Sequence, residues 1–371
     1  MNVRSSLCLL LASVPLLIVA ACSSSGDAAQ TADAQAPEAS APEASAPEVV
    51  ADAATVVKGA TSCADDAQAP GISTCGASGN ESCCLSPTVT GGMFLRDYDG
   101  VTHMTTTYPA TVSSFRLDKF EVTVGRFRSF ATVVAAGWSP AAGSGKHTYL
   151  NGGKGLVSDG APDEYEPGWD STWTPLLAKT AADWTKNLSC SATYQTWSPD
   201  LVGDEARPIN CASWFEAYAF CIWDGGFLPS AAEWSYAAEG GMEQRVYPWS
   251  SPPMSTTIDC TLANFGGAMP LDTVCVKTGA NRVGSEPKGY GKWGPADLAG
   301  NVWEWALDWS SGYVNPCKDC GDLDTGHTAR GIRGGGFSDD PSNVLASYGL
   351  GSPPDTRDYT IGFRCARAPS P

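Results

Sequence analysis

Three consecutive glycines, Gly334, Gly335 and Gly336, lie in the segment RGIRGGGFSDDPSNV (330–344), with Asp339 and Asp340 close behind. Glycine lets a backbone turn sharply or approach a ligand closely. A phosphate cradle would add a lysine and a helix N-terminus after the glycines. Pro341 and the two aspartates oppose both. A serine-hydrolase elbow, G-x-S-x-G, occurs nowhere in the chain. Asp339 and Asp340 could serve a hard cation, but adjacent residues on a strand point to opposite faces. A solvated turn is the expectation.

Other reactive side chains are scattered. His103, His147 and His327 lack the H-x-x-x-H spacing of a metal site, and each is expected on the surface or in a loop. Cys317-Lys-Asp-Cys320 has zinc-like spacing, but no second CxxC completes a four-ligand set. Of the 14 cysteines, Cys8 and Cys22 lie at the N-terminus, leaving an even number for disulfides. Sequence proximity suggests Cys190–Cys211, Cys260–Cys275 and Cys317–Cys320. Cys63, Cys75, Cys83 and Cys84 allow three pairings.

Disulfides require export, and the N-terminus provides for it. Arg4 precedes an apolar run from Leu7 to Ala21, which reads as a signal segment. The run ends in Val19-Ala20-Ala21-Cys22, similar to the bacterial lipobox, so Cys22 is the expected lipid-attachment site of an envelope lipoprotein, on the outer-membrane or periplasmic face. Residues 23–60 repeat an Ala-Pro-Glu-rich unit without aromatics and read as a disordered acidic tether. Residues 61–86 form a cysteine-rich segment and residues 87–371 one domain.

The net charge of −17 argues against nucleic acid as partner. Gly (40) and Pro (26) in 371 residues imply much loop and few long helices. Phe127, Phe130 and Val134 have helical spacing behind a candidate N-cap, Thr123. Ser213 with Glu216 and Ser230 with Glu233 form two capping boxes, predicting two short helices that close at Gly225 and Gly240. NVWEWALDW alternates and predicts a half-buried strand. Residues 138–204 show no periodicity and read as long loops.

In this order the segments DKFEVTVGRFRSF, RPINCASWFEAYAFCIWDGGFLPSAAEWSYAAEGG, YPWS, GYGKWGPADLAGNVWEWALDW, IRGGGFSDD and IGFRCAR resemble the formylglycine-generating enzyme (sulfatase-modifying factor) family over about residues 91–367. The resemblance implies an α+β, C-type-lectin-like fold. It also implies an oxidase in which two cysteines after the glycine turn hold copper(I) and convert a substrate cysteine to formylglycine. Here those positions are Asp339 and Val344, and Gly336 stands for the family's serine. Thiolates suit copper(I) and carboxylates do not. The expectation is therefore a binding module without copper, with a groove at Trp303 and the glycines for a peptide, glycan or protein. The alternative is a family oxidase that converts a substrate cysteine to formylglycine through another metal arrangement or through cysteines placed elsewhere in the chain, or that carries out a related metal-dependent oxidation.

The resemblance further implies a structural calcium held by Asp297, the carbonyls of Gly300 and Val302, and Glu304. Oxygen ligands of this kind suit Ca²⁺. A second family calcium site would use Asn264 and the carbonyl of Phe265, but Asp272 stands two positions out of register. Cys221 and Cys365 match a family disulfide, while Ala238 and Gly349 replace both halves of another.

Overall fold

Strand Trp303–Trp309 is buried along nearly its whole length. It lies inside a four-stranded sheet in the order Gly349–Ser352, Arg330–Arg333, Trp303–Trp309, Ile361–Gly362. The computed structural model describes residues 60–64, 69–266, 275 and 279–370. The signal segment, Cys22, the tether up to residue 59 and Asp272 lie outside the described residues. Among those described, no helix is long and apolar enough to cross a membrane.

The half-buried strand expected from the alternation is corrected, because both faces are covered. Trp305 packs in one core cluster with Trp214 and Phe220 of helix α3 (Trp214–Trp223). Its Nε1 donates to the Ala212 carbonyl at 3.0 Å. On the other face, Trp234 of helix α4 (Ala231–Ala238) donates from Nε1 to Glu304 Oε2 at 2.9 Å. The polar residues of the alternation thus meet buried partners rather than water.

The helices start where their caps lie. Thr123 accepts from Arg126 N to open α1 (Val124–Ala135), and Phe127, Phe130 and Val134 are on its buried face. Ser213 with Glu216 and Ser230 with Glu233 form complete capping boxes on α3 and α4. The segment read as loops also holds a helix, α2 (Ala181–Asn187), capped by Thr180, and a strand pair, Val157–Ser158 with Ala161–Tyr165. Both are too short to show a period.

Six disulfides join the described cysteines in the expected pairs Cys190–Cys211, Cys221–Cys365, Cys260–Cys275 and Cys317–Cys320, with Cys63–Cys84 and Cys75–Cys83 in the N-terminal segment. That segment is fastened to the domain through Arg126, which donates to Ser62 Oγ at 3.0 Å and to the Cys83 carbonyl at 3.2 Å. Arg126 and Arg367 share the buried carboxylates of Asp118 and Asp224. Two cations face two anions, so the cluster is neutral and each charge has a partner, as burial requires.

His147 lies in a loop, one of the two placements expected, but it is fully buried there, with Nδ1 at 2.9 Å from Glu166 and Nε2 at 3.0 Å from Glu233. Carboxylates only accept hydrogen bonds, so both ring nitrogens donate and the ring is an imidazolium.

Candidate functional site

The glycine turn follows strand Arg330–Arg333. Gly334 and Gly335 have φ of +93° and +71°, where a Cβ is strained. A Cβ on Gly335 would also lie 2.5 Å from Val344 Cγ1 and 2.7 Å from the Asn343 carbonyl oxygen. Gly336 sits between Trp303, Asp339 and Thr360, each 3.3 Å from where its Cβ would be.

Asp339 closes this turn. Its Oδ2 accepts from Gly336 N at 2.8 Å and from Trp303 Nε1 at 2.7 Å. Its own N–H donates to the Gly336 carbonyl at 3.0 Å. Val344 is fully buried with Val246, Tyr247 and Phe265. The structure therefore brings Trp303, Gly336 and Asp339 together and puts Val344 in the core behind them.

Sequence reasoning missed the aromatic flank of the turn. Phe337 packs at ring-centroid distances of 5.6 Å from Tyr194 and 6.1 Å from Tyr359. On the other side Tyr348 lies 6.1 Å from Trp303. Tyr359 stands two positions before Ile361, the start of the IGFRC motif, a signal that was available; Tyr194 lies in the segment without periodicity.

Behind the turn is an acidic nest. Glu304 is forked by Arg364, Nε to Oε2 at 2.7 Å and Nη2 to Oε1 at 2.6 Å. Asp297, with φ of +56°, accepts from Gly284 N at 2.6 Å. Gly300 packs so closely that a Cβ would lie 2.3 Å from the Asn264 carbonyl oxygen. Val302 N donates to Glu121 Oε1 at 3.2 Å, and Asn301 Nδ2 donates to Glu121 Oε2 at 2.6 Å. Glu121 was not singled out in the sequence. Burial, with Asp297 and Glu304 nearby, holds its carboxyl well above the ordinary value. Burial also lifts Asp297 to about 6, against the opposing pull of the Gly284 hydrogen bond and Arg364. Three buried carboxyl groups thus lie within electrostatic reach of one guanidinium, which bonds Glu304. Among the described residues no three His, Cys, Asp or Glu side chains could hold a metal ion by themselves, so carbonyl oxygens would have to complete any coordination.

Residues 79–369 match the sulfatase-modifying factor enzyme 1-like domain. The chain belongs to this family. It is 33% identical over 183 residues to the formylglycine-generating enzyme of Streptomyces coelicolor, covering 45% of this chain and 54% of that protein. It is 32% identical over 168 residues to the inactive C-alpha-formylglycine-generating enzyme 2 of Bos taurus, covering 43% of this chain and 50% of that one. The chain thus spans little more than half the length of these relatives. The structure of PvdO from Pseudomonas aeruginosa superimposes with a TM-score of 0.51 at 19% identity, over 76% of this chain and 93% of that one, and shares the fold.

The donor set of this member does not fit copper(I). The family's thiol positions hold Asp339, bound by Trp303, and the buried Val344, and all twelve described cysteines are in disulfides. Copper(I) prefers soft sulfur, and one hard oxygen is no substitute for two thiolates.

Proposed function

We propose that this protein is an envelope lipoprotein, anchored through Cys22, whose sulfatase-modifying-factor domain binds a peptide, glycan or protein at the groove beside Trp303 and does not oxidise cysteine. The observation that carries the reading is the Trp303–Asp339 hydrogen bond at 2.7 Å, in the place where the family holds copper. It ties the only polar side chain at the two thiol positions into the turn. The Bos taurus relative is named inactive, so loss of the oxidation within this family has a parallel.

Calcium beside Asp297 belongs to the same reading. Support comes from the buried carboxyl groups of Glu121, Asp297 and Glu304 gathered near one guanidinium: burial and crowding hold Glu121 well above its ordinary range and raise Asp297, and a divalent cation would favour their ionised forms. Asp297 and the carbonyls of Gly300 and Val302 would be its ligands. Glu304 could join only by sharing its charge with Arg364.

The test is oxidation itself. Purified protein, copper(I) and a Cys-x-Pro-x-Arg peptide are incubated under air, and the peptide is read by mass. No conversion of cysteine to formylglycine above the copper-only rate is expected. Conversion above it overturns the non-catalytic reading.

A further inference from the structure

A cavity of about 400 Å³ lies at the other end of strand Trp303–Trp309 from the glycine turn, walled by Trp169, Trp173, Trp214, Tyr218, Trp309 and Arg330. Trp303 and Trp309 are six residue steps apart along extended chain, roughly 20 Å, so this is not the groove described above. The volume suits a small organic ligand.

Arg330 gives the cavity its chemistry. Its guanidinium is sandwiched between indoles, 3.9 Å from the Trp214 ring centre and 3.6 Å from that of Trp309. The residue is only 5% exposed. Nη1 donates to the Leu307 carbonyl at 2.7 Å, and Nε has no acceptor. Asp308 and Asp322 act on it through space, without a hydrogen bond, and burial pushes its pKa down to about 9. By contrast, the buried Arg126, Arg364 and Arg367 each form an ion pair with a carboxylate. A buried cation without such a pair is costly, and an anion brought to it would recover that cost.

The acids around the cavity do not supply this anion. Glu166 lines the wall, but its carboxylate is held by the His147 imidazolium at 2.9 Å. Asp170, at the exposed rim, accepts from Thr172 N at 2.8 Å and caps the short turn Ser171–Leu176. The apolar part of the wall therefore carries one unmatched charge, and it is positive.

A neutral sugar fits less well. Sugars stack on open, flat ring faces, whereas Arg330 covers Trp214 and Trp309. Trp173 meets Trp169 at 90° and Trp214 at 85°, edge to face, which leaves no shared platform.

We propose that this cavity binds a small monocarboxylate with an aromatic body, its carboxylate paired with Arg330 and its ring among the indoles.

The full chain is titrated with 3-phenylpropionate, with its neutral amide 3-phenylpropanamide and with laminaribiose, read by tryptophan fluorescence and calorimetry. The acid is expected to bind saturably and at least about tenfold more tightly than the amide, the contribution of one charge-assisted bond. Arg330→Gln should bring acid and amide within about twofold of each other. Arg330 also holds Leu307, and a loss of fold in this variant would mimic a loss of binding; Thr325→Trp, which fills the cavity from its wall, provides an independent check. It should abolish binding of the acid at an unchanged melting temperature. Equal binding of acid and amide overturns the proposal. So does the lack of saturation by the acid, acid binding that survives Thr325→Trp, or binding of laminaribiose alone.

Discussion

Trp303 Nε1 donates to Asp339 Oδ2 at 2.7 Å, and the same oxygen accepts from Gly336 N at 2.8 Å. One carboxylate oxygen thus latches the glycine turn to the central strand, at the position that the resemblance in sequence matches to a reactive thiol of the family's oxidases. Hydrogen bonds to a charged group contribute about 1.5–3 kcal/mol each before solvent screening. Asp339 is partly exposed, so Asp339→Ala should cost about 1–3 kcal/mol in urea unfolding with disulfides intact. Asp339→Asn keeps an accepting oxygen and should cost less. Equal costs for the two would mean that the latch does not act through its acceptor oxygen.

Restoring the thiols tests the same turn from the other side. Asp339→Cys alone should gain little copper(I) affinity, because its only neighbour at the second position is the Val344 side chain. Asp339→Cys with Val344→Cys should gain clearly more, read by competition with a chromophoric copper(I) chelator. Val344 contacts the turn closely, since a Cβ on Gly335 would lie 2.5 Å from its Cγ1. Equal affinity in the single and double variants would show that position 344 is closed to the groove.

Cys221 and Cys365 are joined across 144 residues of sequence. In the chain-entropy view, a loop of this length stabilises by roughly 3–5 kcal/mol by restricting the unfolded chain. Replacing both cysteines with alanine should lower stability by about that much. A loss no larger than that from removing Cys317 and Cys320, which span 3 residues, would reject loop length as the cause.

The local half of this structure was legible in the sequence. Ser213–Glu216 and Ser230–Glu233 announce two helices because a capping box needs only residues three apart. The motif order carried the fold, and the absence of cysteine at 339 and 344 is plain in the segment itself. What stayed hidden depends on partners distant in sequence. His147 is the loop histidine its surroundings suggest, but nothing local shows that Glu233, 86 residues away, meets its Nε2. Glu121 carries no local signal of its place, which depends on Asn301, 180 residues away, donating to it. The strand from Trp303 read as half-buried because its Glu and Asp suggested water. Arg364 takes Glu304, and the backbone N–H groups of Ala231 and Asp322 take Asp308.

The proposed calcium site would have a direct thermal signature. A cation on Asp297 would bind the folded chain and not the unfolded one, and so raise the melting temperature as its concentration rises. Calcium should therefore raise the melting point of the wild type relative to chelator. Asp297→Asn should lose most of that shift while melting normally in chelator, because the amide still accepts from Gly284. A wild-type melting point unchanged by millimolar calcium would remove the site.

His147 gives a pH dependence whose sign follows from its partners. Burial alone would lower its pKa, but the charges of Glu166 and Glu233 and their hydrogen bonds more than offset this and raise it to about 10. In the unfolded chain the group titrates near 6.5. Between these values the folded protein holds a proton that the unfolded chain has released, so stability falls as pH rises. The contribution is fully present below about pH 6.5 and lost by about pH 10, at most about 5 kcal/mol over the window. Thermal melts from pH 6.5 to 10 should therefore show a steady decline in the wild type. His147→Gln should be less stable at pH 6.5, since Glu166 and Glu233 then share a buried site without a cation, and its decline over the same window should be shallower. Parallel decline of the two proteins would mean that the ring is not the group that titrates, and the buried imidazolium would have to be given up.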